Sequence, residues 1–573
     1  MTQVYGTVIV GGGSAGSVLA NRLSARGTHD VLLLEAGIDT PPGHEPPELL
    51  DSYAGRLFFN PHFDWPDLRV TTQAPRAGEE AASRPPLRKY TQARVLGGGS
   101  AINGQLFNRG APTDYREWEA RGATGWSWDD VLPYFRKVEC DLDCDGPLHG
   151  KHGRIPVSRV PREHWTGLSS AFAGACKEAG YAYLPDQNGE FVEGYFPVAF
   201  NNQAERRVSA AMGYLDADVR RRTNLKIMTG THVTRLLFEG TRCVGVKAVA
   251  NGQELEFRGR EVILSCGAIH TPAHLLRAGI GPVEHLQGMG IPVLAASEGV
   301  GRGLMDHPSI GLSSFCRPGA RMNGLTRRHF QVALRYSSGL PGVPAGDMFC
   351  AALSKSAWHA VGQRIASMLL FVNKTYSETG HVRLASRDPM AEPEVAFNLL
   401  SDPRDLRRLM DGFRKAAALQ ASGPLRAVTD KPFPSAFSER VRNISQITVK
   451  NRILTSIGAA LMDGPAPLRH YMIDHHVVDG FTFEQLMRDD EALEAFVRKE
   501  AIGVWHASCS CRMGGEDDPL AVVDPHGRVK GVQALRVVDA SIFPVVPCAN
   551  TNFPTLMAAE KIADTLLASP EIS

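Results

Sequence analysis

The chain has no excess of charge of either sign. Lys+Arg number 62 and Asp+Glu 61, leaving a net charge of +1 at pH 7 over 573 residues. That balance gives no electrostatic case for nucleic acid or an anionic membrane as partner. No run of about 18 apolar residues is present to span a bilayer. The N-terminus enters an apolar, β-branched run within a few residues of Met1, with no basic region and cleavable apolar segment before it. The expectation is a cytoplasmic protein. Internal repeats and low-complexity tracts are absent. The ten cysteines are scattered, and Cys509-Ser510-Cys511 lacks the second cysteine pair or spaced histidine pair that would complete a metal site. They read as buried small residues rather than disulfides, and no metal is expected. With 43% hydrophobic and 21% charged residues the composition is that of a soluble globular protein, and the length points to more than one domain.

One stretch organises the rest. Thr7-Val8-Ile9-Val10 has the pattern of a buried parallel strand and feeds into Gly11-Gly12-Gly13-Ser14-Ala15-Gly16, followed by a helix-forming run from Ser17 to Arg26. In a dinucleotide-binding turn Gly11 permits the tight bend, Gly13 lets backbone approach a pyrophosphate, and Gly16 lets helix pack on strand. The helix N-terminus then offers free N–H groups to the phosphates. A second apolar run, Val31 to Leu34, ends in Glu35, where a carboxylate can accept from ribose hydroxyls. The fingerprint alone does not separate FAD from NAD.

Residues 36–92 are rich in Pro, Gly and charge and read as a surface excursion or a lid. Gly97-Gly98-Gly99 and the small residues up to Asn103 leave room for a planar ligand against bare backbone, a flexible turn being the alternative. Helices are expected at Asp114 to Arg121, Trp126 to Val138 and Ser209 to Arg221, with 140–204 irregular. Strands are expected at Leu225 to Met228, Val233 to Phe238, Cys243 to Val249, Glu254 to Arg258 and Glu261 to Ser265. The last runs into Cys266-Gly267-Ala268, a strand-to-helix turn suited to a cofactor. Residues 309–500 hold strand-like segments at Ser367 to Val372 and His381 to Ala385, and helical runs at Asp402 to Ala421 and Phe483 to Glu500, without a phosphate turn. The chain closes with Val504-Trp505-His506, a strand over Ala534 to Asp539 and an apolar helix from Pro554 to Leu567.

In their order, Gly11 to Gly16 with Glu35, Arg94 to Asn103, Gly267 to Gly281, His506, Val538-Asp539 and Asn550 to Thr555 resemble the glucose-methanol-choline (GMC) oxidoreductases, over essentially the whole chain. His274 and Ala278 depart from the family's second signature and read as packing changes. Within the family, Gly503 to Ser508 and Asn550 to Thr555 look most like the branch of 5-hydroxymethylfurfural and aryl-alcohol oxidases. The resemblance implies an α/β fold: a Rossmann-like FAD-binding domain over 1–157, 205–308 and 502–573, and a substrate-binding domain of mixed sheet and helices over 158–204 and 309–501. It implies FAD, held non-covalently, with Gly11, Gly13, Ser14 and Gly16 at the pyrophosphate, Glu35 at the adenosine ribose and Val233 at adenine. The Gly98 to Asn103 segment, Ser100 included, would line the isoalloxazine, and Arg94 would also bind the cofactor. Asp539 would meet the second phosphate and ribityl chain, and Asn552 would hold the turn beside the flavin.

The resemblance also places the catalytic base on His506 and a second active-site group on Asn550, while His307 reads as structural. Alcohol oxidation removes a proton from oxygen and a hydride from carbon, so a base near neutral pKa and a hydride acceptor are both required. Trp505 would give an aromatic substrate a flat wall. The implied reaction takes primary aryl, furanic or pyridylic alcohols to aldehydes, and onward to acids through aldehyde hydrates, with O2 as second substrate and H2O2 as product. A dehydrogenase with a quinone or protein acceptor, and the flavin lyases and photodecarboxylase of the same fold, stay as alternatives. The oligomeric state is open.

Overall fold

The computed structural model describes residues 3–73, 86–436 and 439–568. β1 (Val4–Val10) and β2 (Val31–Leu34) pair in parallel, joined through α1 (Ser14–Ser24). From Thr7 onward β1 is buried, as is all of β2, so both strands read as continuous apolar runs rather than alternating ones. On the far side of β1 the strand Gln253–Leu264 runs parallel, with Val10 opposite Leu264. Leu225–Met228 extends the sheet beyond β2, and Leu535–Val537 pairs with the end of the long strand.

That long strand is continuous where the sequence suggested two segments. Its first half pairs antiparallel with Arg242–Ala250, which pairs in turn with Thr231–Glu239. Gly259 sits where it passes β1: a Cβ there would lie 2.8 Å from Val8 Cγ2. α1 packs beside the C-terminal helix Asn552–Ala568, so both helix N-termini open on the same edge of the sheet.

A second sheet is antiparallel throughout, in the order Thr429–Pro434, Pro308–Cys316, Ile365–Val372, Met348–Leu353, Phe330–Tyr336 and Gly194–Pro197, with Ile502–Gly503 added at Pro308 and Ser309. A third draws Arg69–Gln73 and Arg88–Lys89 together with Arg302–Leu304, Gly380–Arg383 and Glu394–Leu399. Two large apolar cores result. One lies about the parallel sheet and holds Trp118, Trp126 and Phe553; the other lies about the antiparallel sheet and holds Phe172, Phe413 and Phe496.

Helices differ from expectation in identifiable ways. The stretch 140–204 contains the helix Gly167–Glu178, started by Thr166, whose side chain accepts from Ser169 N–H. Phe483 to Glu500 is two helices because Asp489 accepts from the N–H groups of Glu491 and Ala492 and so starts a new one. Ser209 to Arg221 divides likewise at Asp216. Glu439–Ser445, Val449–Met462 and Ala466–Met472 form helices that the sequence did not single out. The ten cysteines are free thiols, seven of them buried. No helix among the described residues is long and apolar enough to cross a membrane.

Candidate active site

A cavity of about 1300 Å3 runs from the glycine turn of β1 to the face of the antiparallel sheet. At its inner end two glycine-rich turns meet backbone to backbone. Gly97 N–H donates to the Gly12 carbonyl at 2.8 Å, and a Cβ on Gly98 would lie 2.6 Å from Gly13 Cα. Gly11 has φ +97°, and a Cβ there would sit 2.5 Å from the Ser265 carbonyl oxygen, so only glycine fits. Ser14 Oγ donates to Asn552 Oδ1 at 2.8 Å, tying together the N-termini of α1 and the C-terminal helix. Asn552 Nδ2 is buried with no partner. Two converging helix N-termini and an unspent amide donor suit the pyrophosphate and polar edge of a dinucleotide.

Glu35 closes the same end. Its carboxylate accepts from Gly12 N–H at 2.8 Å and Gly37 N–H at 2.7 Å, and burial pushes its pKa up while those N–H groups pull it down. Each oxygen keeps a lone pair for a ribose hydroxyl. Asp539 accepts from Gly267 N–H, Thr271 Oγ1 and Ser541 N–H, and thereby holds the turn after the long strand against the cavity.

At the other end, three segments distant in sequence meet at Asp306. Its Oδ1 accepts from the N–H groups of His307 (2.8 Å), Val504 (3.2 Å) and His506 (2.9 Å). Tyr90 donates to Oδ2 at 3.3 Å. Burial pushes the Asp306 carboxyl up to about 7 against the pull of these donors. Gly503 is needed for the approach, since a Cβ there would lie 2.2 Å from Asp306 Oδ2.

This arrangement delivers His506 to His307, and their partners assign the tautomers. His307 Nε2 lies 3.1 Å from the Pro547 carbonyl, which can only accept, so Nε2 carries the proton. Burial lowers the His307 pKa to about 4, which leaves the ring neutral and its Nδ1 an acceptor. His506 Nδ1, at 2.8 Å, must then be the donor. Burial, with a smaller contribution from His307, holds His506 well below the ordinary 6.5, so its Nε2 bears a lone pair. That lone pair faces Asn550 Nδ2 at 3.0 Å, while Asn550 Oδ1 is buried and unpartnered. Trp505, just before the histidine, has φ +62°, a strained conformation for a bulky residue, and its ring lies 5.1 Å from that of Phe58. Asp306, His307 and His506 also have the spacing of a metal triad, although each facing atom already has the hydrogen-bond partner described.

The GMC oxidoreductase family models match residues 5–309 and 375–559. The chain belongs to the GMC oxidoreductase family. It is therefore a flavin-dependent alcohol oxidoreductase. It is 44% identical to 5-(hydroxymethyl)furfural oxidase of Methylovorus sp., over 98% of this chain and 99% of that protein. To the oxygen-dependent choline dehydrogenase of Staphylococcus saprophyticus it is 31% identical, over 99% and 95%. Among solved structures, pyridoxine 4-oxidase from Mesorbium loti superposes with a TM-score of 0.80 at 26% identity, covering 98% of this chain and 99% of that one.

Most residues singled out in this GMC sequence stand on the cavity: Gly11, Gly13, Ser14, Glu35, Gly98, Asn103, Val233, Trp505, His506, Asp539, Asn550 and Asn552. Three stand behind its wall. Gly16 packs on Gly11, where a Cβ would come within 1.9 Å of the carbonyl oxygen. Arg94 lies over the Trp65 ring at 4.8 Å and donates to the Ala36 carbonyl. The Ser100 hydroxyl bridges the Gly97 carbonyl and Ala210 N–H, so it shapes the turn instead of facing the cavity. His307 is the residue that sequence reading set aside and the geometry brings forward. Its neighbour Asp306, in the Asp306-His307-Pro308 run, was the available signal in the sequence.

Proposed function

We propose that this enzyme is an FAD-dependent oxidase of neutral primary aryl, furanic or pyridylic alcohols, with O2 as electron acceptor and H2O2 as product. One observation carries the reading: His506 Nε2, its lone pair set by His307, opens beside Asn550 into an aromatic-walled cavity that continues to the double glycine turn. A substrate hydroxyl placed between the two side chains would accept from Asn550 Nδ2 and donate its proton to His506 Nε2. His506 Nδ1–H would keep its acceptor on His307 throughout, so the ring cannot turn away as it gains charge. Bound FAD would supply the acceptor for the hydride leaving the carbinol carbon and the route by which electrons reach O2. Gly11, Gly13, Ser14, Glu35, Val233, Asp539 and Asn552 would hold it. The Gly97–Asn103 run that would face the flavin contains no thiol, phenol or imidazole to bond with it covalently, which supports a non-covalent cofactor.

The wall beyond His506 favours a neutral alcohol over choline. The strands Pro308–Cys316, Met348–Leu353 and Ile365–Val372 contain no acid, and among the described residues the acids on the cavity are Glu35, Glu392, Asp479, Glu500 and Asp539. Phe58, Trp505 and Phe371 offer flat apolar surface instead. The test is an oxygen-electrode assay with benzyl alcohol, 5-(hydroxymethyl)furfural, pyridoxine and choline. Fast O2 uptake with stoichiometric H2O2 on the aromatic alcohols is expected. Preference for choline, or turnover only with a quinone dye, would overturn the reading.

A further inference from the structure

Exposed large apolar side chains are concentrated on one layer of the fold. In the helix Val449–Met462, Val449, Ile453, Ile457 and Leu461 recur every four residues along one outer stripe, and Leu468 and Tyr471 of the next helix continue it. All six are between 38% and 74% exposed. The inward face of the same helix carries the small or polar Asn451, Thr455 and Ala459, with Met462. Thr455 and Met462 line the cavity, so this layer is its outer wall. An apolar patch of this extent marks an interaction surface.

The charge around the stripe selects the partner. No acid occurs between Glu439 and Asp463, whereas Lys450 and Arg452 stand exposed beside the stripe. Of the acids that follow the helix, Asp463 is engaged by Arg321 and Arg364, and Asp474 by Lys431. A second copy docked through this face would bring a second set of these cations into the same interface with no acid in the stripe to offset them. An anionic bilayer satisfies both features, taking the apolar stripe into the acyl boundary and the cations at headgroup phosphates. We propose that the layer formed by Val449–Met462 and Ala466–Met472 is a docking surface for an anionic lipid bilayer. The near-zero net charge of the whole chain conceals this local excess.

The experiment is flotation of the holoenzyme with vesicles of phosphatidylglycerol and phosphatidylcholine, against phosphatidylcholine alone, with light scattering in parallel. The enzyme should float with the anionic vesicles. Ile453→Asp with Ile457→Asp should cut vesicle affinity about tenfold or more, and Lys450→Gln with Arg452→Gln about thirtyfold, the effect of two cations at an anionic surface. None of the four residues lines the cavity, so both variants should keep full flavin content and full turnover of a water-soluble alcohol. Absence of flotation, or equal flotation on neutral vesicles, would overturn the proposal. So would a dimer that the Ile453→Asp, Ile457→Asp pair dissolves, which would give the face to a second copy.

Discussion

At the scale of single residues, the account rests on a line of hydrogen bonds from the Pro547 carbonyl through His307 and His506 to Asn550. His506→Ala should lower turnover by roughly 10²–10⁴-fold, the contribution of a positioned base, while the purified protein stays yellow. Steady-state kinetics with the flavin absorbance of the same sample checks it. His307→Leu removes the acceptor that fixes the His506 tautomer. It should lower kcat by roughly tenfold or more while KM changes little, and His307→Gln, which restores a carbonyl acceptor, should recover part of the loss. Because burial holds His506 below 6.5, acidification should leave it in the basic form longer than a free histidine. The acid limb of the kcat/KM profile should accordingly fall below pH 6.5; a limb at or above that value would contradict the assigned environment. The roles proposed for His506 and Asn550 come from a family pattern that the sequence carries. The His307 contact was not, since its partner lies 199 positions away and only the meeting of strands Pro308–Cys316 and Ile502–Gly503 brings the rings together.

At the scale of elements, the β1–α1–β2 unit was readable because its residues carry their reasons locally: a continuous apolar run, glycines where backbone passes backbone, and an acid at the strand end. Gly16→Ala tests that logic directly, since the added Cβ would fall 1.9 Å from the Gly11 carbonyl oxygen. The variant should purify with much less flavin and a lowered Tm, measured by absorbance and differential scanning fluorimetry. Gly167–Glu178 escaped because its small residues, Ala171, Ala173, Gly174 and Ala175 among them, give little periodic signal. Thr166→Ala should destabilise the protein by about 1 kcal/mol, the usual effect of losing a helix N-cap, read from urea unfolding. Val449–Met462 escaped for the opposite reason. Its apolar residues point outward and its small and polar ones inward, which reverses the pattern by which helices are recognised.

At the scale of the whole molecule, two cores and a shared third sheet hold the glycine turns and the histidine pair at opposite ends of one cavity. Burial there has a cost in acid. His232, His274, His307, His329, His359 and His506 all have folded pKa values lowered by burial below the ordinary 6.5. The unfolded chain therefore takes up protons that the folded one refuses as pH falls below 6.5, and stability drops. Glu35, Asp114, Asp306 and Asp539, raised by burial, act in the opposite sense but are fewer. A Tm that declines from pH 6.5 to pH 5 is expected, and a rising one would contradict this balance. The central claim, that His506 drives oxidation of an alcohol in this cavity, is tested most directly by anaerobic stopped-flow absorbance with benzyl alcohol on the parent protein and on His506→Ala. The account predicts rapid bleaching of the flavin band in the parent, recovery with H2O2 on admitting air, and bleaching slowed by at least about 10²-fold in the variant. Equal bleaching rates in the two proteins, or no bleaching in the parent, would contradict it.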